Sequence, residues 1–186
     1  GLEGLPLELD RKGFVVTNER LETNIKGVYA VGDMNGKFPL AHVASAEGIV
    51  AVENIMGINS SLNYDIIPFC IYTFPEIASV GLTEEQAKSA GYDVTVSKFP
   101  LTANGKAMAE GETLGFVKII SENQYGEILG THIMAGHATD MISEAIMAMQ
   151  IEGTVYDVAK AIHPHPTLSE IVMEAAHGAI DKPIHK

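Results

Sequence analysis

The chain has 186 residues, 46% of them hydrophobic, enough for one full core or for one and a half domains of ordinary size. Its 24 acidic residues outnumber 12 basic ones, the formal charge is −12, and no basic stripe is available to neutralise a phosphate backbone, which excludes nucleic acid as an expected partner. No apolar run approaches the roughly 20 residues that cross a bilayer, and Gly1 to Glu8 lack the charged start and apolar centre of a signal peptide, so no membrane contact and a cytoplasmic location are expected. The single cysteine, Cys70, cannot form an intrachain disulfide, a paired-thiol redox centre or a cysteine-based zinc site. Because the chain opens on Gly1 and Leu7 to Val16 reads as the middle of a fold, it is expected to be a fragment.

Along the chain, Gly13 to Thr17 and Val28 to Val31 are short apolar, β-branched runs separated by polar residues and Gly27, which predicts two strands joined by a turn. From Leu40 to Met56 the positions Val43, Ala46, Val50, Ala51 and Ile55 follow helical spacing, with Gly57 placed as a left-handed cap. Residues 59–65 are polar and irregular, so a domain boundary is expected there, dividing residues 1–60 from 64–186. The second region begins with the apolar run Ile66 to Thr73. Thr83-Glu84-Glu85-Gln86 forms a capping box for a short helix ended by Gly91. Val94 to Phe99, Phe116 to Ile120 and Ile128 to Met134 read as strands of an antiparallel sheet, the last two joined by a hairpin loop over 122–126. Helical spacing returns over Ala138 to Gln150, then around Val155, Val158, Ala159 and Ile162, and finally from about Leu168 to Ala176.

The segment richest in chemistry is His163-Pro164-His165-Pro166-Thr167-Leu168-Ser169-Glu170. Each Pro restricts itself and its predecessor away from helix, so both imidazoles are expected on an exposed extended loop. Thr167 and Glu170 also satisfy a Thr-x-x-Glu capping box, which gives Glu170 a purely structural explanation. The functional alternative has Glu170 accepting a hydrogen bond from one ring nitrogen of His165, fixing the tautomer so that the other nitrogen accepts a proton near neutral pH. A second constellation, Thr23 to Asp33, ends a strand on Gly32-Asp33. It is either a simple turn or a carboxylate at a sheet edge with a glycine that lets a ligand approach. After it, Pro39-Leu40-Ala41-His42 opens a helix whose free amides and dipole suit negative charge.

Other polar residues carry weaker signals. His42 reads as a surface or packing residue, Cys70 as a small hydrophobe in an apolar strand, and the methionine-rich face of residues 138–150 as core or subunit interface. His163 and His165, with His132 and His137, offer nitrogen ligands but lack carboxylates or thiols at metal-binding spacing, so no metal is expected.

His-x-His-Pro-Thr-Leu-Ser-Glu resembles the active-site motif of the dihydrolipoamide dehydrogenases, within the flavin-dependent pyridine nucleotide-disulfide oxidoreductases. Glutathione reductases are similar at His165-Pro166-Thr167 and Glu170 but have a bulky apolar residue where His163 stands. Mercuric reductases and soluble transhydrogenases differ at His165. The departure from the lipoyl pattern is Pro164, where alanine is usual. Thr23, Tyr29, Ala30, Gly32 and Asp33 are similar to the second FAD-binding motif of the same flavoproteins.

The resemblance covers essentially the whole chain and implies an α+β fold: the end of an α/β FAD-binding domain over 1–60, then a dimerisation domain of antiparallel sheet and helices over 64–186. It implies His165 as acid/base and Glu170 as its partner, and Asp33 on the flavin ribitol. Gly32 would line the approach, and the Ala41 backbone would face the flavin pyrimidine. FAD and NAD are the cofactors implied for the intact enzyme, with none expected to remain in the fragment. A homodimer in which His165 serves the partner subunit's site is implied, as is a lipoyl-bearing acyltransferase of a 2-oxo acid dehydrogenase or glycine cleavage complex as partner. The competing expectations are a non-catalytic dimerisation scaffold and a glutathione-reductase-like relative.

Overall fold

The computed structural model describes residues 1–185, which fall into two units divided between Tyr64 and Asp65. In the first unit, the runs expected as strands make isolated antiparallel bridges instead, Leu9 to Val15 and Glu22 to Tyr29. Each bridge is made by one pair of amides: Asp10 N–H donates to the Phe14 carbonyl at 2.8 Å and Val16 N–H to Glu8 at 3.0 Å, and Thr23 N–H to Val28 at 2.8 Å and Ala30 N–H to Leu21 at 3.1 Å. A strand needs a ladder of successive partners, and these residues have single ones. Helix α1 (Ala41–Ile55) forms as its spacing predicts and buries Val43, Val50 and Ala51, although Ile55 is exposed. It closes on Gly57 at φ 84°, with Ile58 N–H donating to Glu53 and Gly57 N–H to Asn54, a left-handed cap of Schellman type.

The second unit is built on five antiparallel strands, β1 (Phe69–Ile71), β2 (Glu76–Gly81), β3 (Val94–Pro100), β4 (Phe116–Glu122) and β5 (Ile128–Ala135), in the spatial order β1-β2-β5-β4-β3. This is the expected α+β architecture of antiparallel sheet and helices. Strand β2 goes beyond what the sequence pattern predicts, as does helix α3 (Gly105–Glu110), which Asn104 caps by accepting from Ala107 N–H at 2.9 Å. Helix α2 (Glu84–Ser89) carries the full Thr83–Gln86 capping box, and α4 (Ala138–Gln150) matches its expected span. Helix α5 (Val155–Lys160) is shorter than its apolar spacing suggests. Ala161 leaves the helix at φ −64°, ψ 136°, and Ile162, which the spacing assigns to the buried face, is 98% exposed.

Cross-strand partners decide which sheet face is covered. Ala78, Val80, Phe99, Val117, Ile119 and Ile133 share one face and join buried residues of α4, α5 and α6 (Glu170–Ile180) in the main core. On the opposite face, Ile120 and Leu129 pack with Ala87 of α2. No helix among the described residues is long and apolar enough to cross a membrane.

Gly130 lets the middle of the sheet close: a Cβ there would lie 2.0 Å from the Leu82 carbonyl oxygen. Backbone cannot retreat as a flexible side chain can, so Gly130→Ala should cost about 1–3 kcal/mol. The check is the urea midpoint followed by far-UV circular dichroism; an unchanged midpoint would show that this crossing yields easily.

Candidate functional site

The loop from Ala161 to Ser169 joins α5 to α6 and carries both histidines of the motif. His165 is exposed, its side chain 78% accessible, and its Nδ1 lies 2.9 Å from Glu170 Oε1. The other oxygen, Oε2, accepts from Thr167 N–H at 2.7 Å. The capping box expected at Thr167 is half made, because the Thr167 hydroxyl donates to the Pro164 carbonyl at 2.8 Å instead of receiving an amide, and regular helix begins only at Glu170. Glu170 therefore has both roles its position suggests, a backbone acceptor at a helix start and a partner for His165.

Burial pushes the Glu170 carboxyl up, but the Thr167 amide, the His165 hydrogen bond and the nearby charge of His165 and His185 together hold it below its ordinary value. An ionised carboxylate only accepts, so Nδ1 of His165 is the donor in this contact and Nε2 is the ring nitrogen not engaged by Glu170. Beside the pair lies a cleft of about 210 Å³ whose lining includes Phe99, Asn104, Glu174 and His185. Buried Glu174 accepts there from His185 Nδ1 at 2.5 Å and from Ile184 N–H at 2.7 Å. His185 and Glu174 carry no motif of their own, though the spacing of Glu170 and Glu174, one helical turn apart on one face, is a signal for this pair.

His163 corrects an expectation. It is not presented to solvent: its side chain is 6% exposed, with Nε2 2.7 Å from Glu144 Oε1 of α4 and Nδ1 3.0 Å from the Ala161 carbonyl. His132 is also tucked in against the Leu82 carbonyl at 3.1 Å, and burial pushes it down. Among the described residues no group of three or more His, Cys, Asp or Glu could hold a metal ion. Cys70 is half-buried against the main core, and burial followed by the Glu76 charge pushes its thiol up, away from the reactive thiolate.

In the first unit, Gly32 and Asp33 lie in a 3₁₀ turn, Gly32–Asn35, against the opening turns of α1. Gly32 is buried at φ 71°, where a Cβ would press to 3.1 Å from Ala44 Cβ; Asp33 is exposed. Ala41 begins α1, and Leu40 at the cap position gives its amides no side-chain acceptor. The turn is held from below by Glu47, a residue with no sequence signal of its own. Fully buried, Glu47 accepts from Gly32 N–H at 2.6 Å, the Asn35 side chain at 2.8 Å and the Tyr64 hydroxyl at 2.6 Å. Burial, then the Glu47 hydrogen bond, raises the Tyr64 hydroxyl above its ordinary value. A glycine cradle, an outward carboxylate and uncapped helix amides are a donor and acceptor set that fits a flavin's ribitol and electron-rich ring edge.

Two units, one carrying a glycine-aspartate turn and the other a carboxylate-oriented histidine, define the class. Residues 67–176 match the pyridine nucleotide-disulphide oxidoreductase dimerisation domain and residues 1–48 the pyridine nucleotide-disulphide oxidoreductase domain. The chain belongs to this family. Within it, the chain is 48% identical to a dihydrolipoyl dehydrogenase of Bacillus subtilis (strain 168), over 99% of its own length and 40% of that protein. It is 44% identical to mitochondrial dihydrolipoyl dehydrogenase 2 of Arabidopsis thaliana, over 99% of this chain and 36% of the relative. The crystal structure of LpdA from Mycobacterium tuberculosis superposes with a TM-score of 0.90 at 30% identity, covering 95% of this chain and 39% of that one. The chain thus spans about 40% of the length of the curated relatives it matches.

The Glu170 geometry has a pH consequence with a defined sign. A carboxyl held below its ordinary value of 4.5 stabilises the fold above that value, and the contribution is lost as the pH falls through the depressed one. Glu170→Gln should lower stability at neutral pH by about 1–2 kcal/mol. The difference from the parent chain should close in acid, measured by urea unfolding across a pH series. A difference that persists unchanged into acid would contradict an ionised Glu170.

Proposed function

We propose that this chain supplies the acid/base pair and the subunit interface of a flavoprotein that reoxidises dihydrolipoyl groups. The observation that carries this reading is His165, with Nδ1 committed to Glu170 and Nε2 in the open. Nε2 takes the proton of a dihydrolipoyl thiol, and the resulting thiolate attacks one sulfur of a disulfide supplied by the rest of the protein, since the thiolate is the attacking species. That attack breaks the disulfide and expels its other sulfur as a thiolate; the second dihydrolipoyl sulfur then displaces the mixed disulfide, so the substrate closes to its cyclic disulfide and the two electrons stay on the protein's reduced sulfur pair. FAD held at the Gly32–Asp33 turn and the start of α1 would supply the two-electron acceptor that links this disulfide to NAD. Asp33 is proposed to hold the ribitol, with Gly32 allowing the close approach and the Ala41 amide facing the ring.

The dihydrolipoyl dehydrogenases to which the chain is 44% and 48% identical support the lipoyl substrate over a glutathione-like one. The natural partner on this reading is a lipoyl-bearing acyltransferase of a 2-oxo acid dehydrogenase or glycine cleavage complex. A homodimer is supported by the dimerisation-domain match and by exposed apolar side chains on and after the edge strand β1, where Ile71, Tyr72 and Phe74 are 54%, 80% and 77% accessible. Across such an interface His165 serves the partner's disulfide.

His165→Gln in the full-length protein keeps a polar side chain but removes the base. Turnover with a dihydrolipoyl substrate should fall by roughly 10²–10⁴-fold, the usual weight of general acid–base catalysis. The flavin content should not change. Steady-state kinetics with the visible flavin spectrum decides the matter; undiminished turnover would remove His165 from the chemistry.

A further inference from the structure

We propose that His163 is a positioning residue for His165, its ring held between Glu144 and the Ala161 carbonyl. This rests on the acid/base reading of His165, but its central observation is independent. Ala161, Ile162, Pro164, His165 and Pro166 are all exposed, and His163 is the residue in this stretch whose ring is turned inward, 6% accessible. Both of its nitrogens face oxygen acceptors, Nε2 at 2.7 Å from a carboxylate and Nδ1 at 3.0 Å from a carbonyl.

Whichever nitrogen carries a hydrogen, an oxygen acceptor faces it, so the ring is fixed in direction as well as in depth. The contact ties the loop to the second turn of α4. On the other side of His165, Thr167 is fixed by three hydrogen bonds: its amide to Glu170 at 2.7 Å, its hydroxyl to Pro164 at 2.8 Å, and its carbonyl from Asn104 at 3.0 Å. His165 itself is exposed and has one side-chain hydrogen bond, so its placement depends on the backbone between these two anchors. Thr167 anchors one end, His163 the other.

The test has two arms in the intact enzyme. With ¹⁵N-labelled histidine, nuclear magnetic resonance should find a His163 ring N–H shielded from solvent exchange; a ring that exchanges as freely as an exposed imidazole overturns the inward anchor. His163→Gln should lower kcat for the dithiol roughly tenfold to a hundredfold, as expected for a catalytic group displaced by about an ångström. The KM for the nicotinamide nucleotide and the flavin content should be unchanged, and His163→Lys, which can still pair with Glu144, should recover part of the loss. Unaltered kcat in His163→Gln overturns the positioning role, and so does loss of kcat with matching loss of flavin. If His165→Gln turns over normally the acid/base reading fails, whereas the ring-nitrogen result still judges His163 on its own.

Discussion

Helix α6 has to bury Ile171, Val172, Ala175 and Ala176 against the sheet, and that single constraint sets the geometry of the site. Its main-core contacts fall on β3, β4 and α5, so the helix can neither rotate nor slide without exposing a fully buried Ile171. Once the apolar stripe is committed, Glu170 and Glu174 fall on one flank, a turn apart. Each holds an imidazole, His165 and His185 respectively. The alignment of the His165 ring is therefore a consequence of hydrophobic packing, transmitted through a carboxylate that the helix cannot move.

How much the sequence could reveal depended on how local the cause was. The α1 cap at Gly57, the capping box of α2, the span of α4 and the pairing of His165 with Glu170 all arise within a few residues, and each is visible as a pattern. Strand β2 is illegible because apolar Ile77 lies on its exposed face, interrupting the alternation that buried Ala78 and Val80 would otherwise give. Helix α3 opens on Gly105 and buries only Ala107 of its six residues, so apolar spacing could not find it, although Asn104 and Gly111 bracket it as caps. Ile162 fits the helical period and is nonetheless outside the helix, since Pro164 comes two residues later and the chain has already turned extended at Ala161.

The buried polar residues were less legible still, because their partners are distant in sequence. Glu47 stands 12 to 17 residues from its donors Asn35, Gly32 and Tyr64, and His163 stands 19 residues from Glu144. Proline spacing correctly marked the 163–166 stretch as non-helical, but it says nothing of which way a side chain turns. His163 turned inward because a carboxylate on α4 and a carbonyl on its own loop were both within reach.

Negative charge has one use common to all these places. In a chain of formal charge −12, much of the acidity is not simply spread over a solvated face. Glu47, Glu76, Glu122, Glu170 and Glu174 each accept from one or more backbone amides, fixing a turn, a helix start or a chain end. A carboxylate in such a place is preferred to an amide side chain because it is acceptor-only and can serve two donors on different elements at once. At Glu170 this has a chemical effect: one oxygen is fixed by the backbone, so the other has a fixed direction, and a histidine bonded to it inherits that direction. The carboxylate that orients the ring also decides which nitrogen faces away from it, so backbone satisfaction and ring orientation at this site are one arrangement.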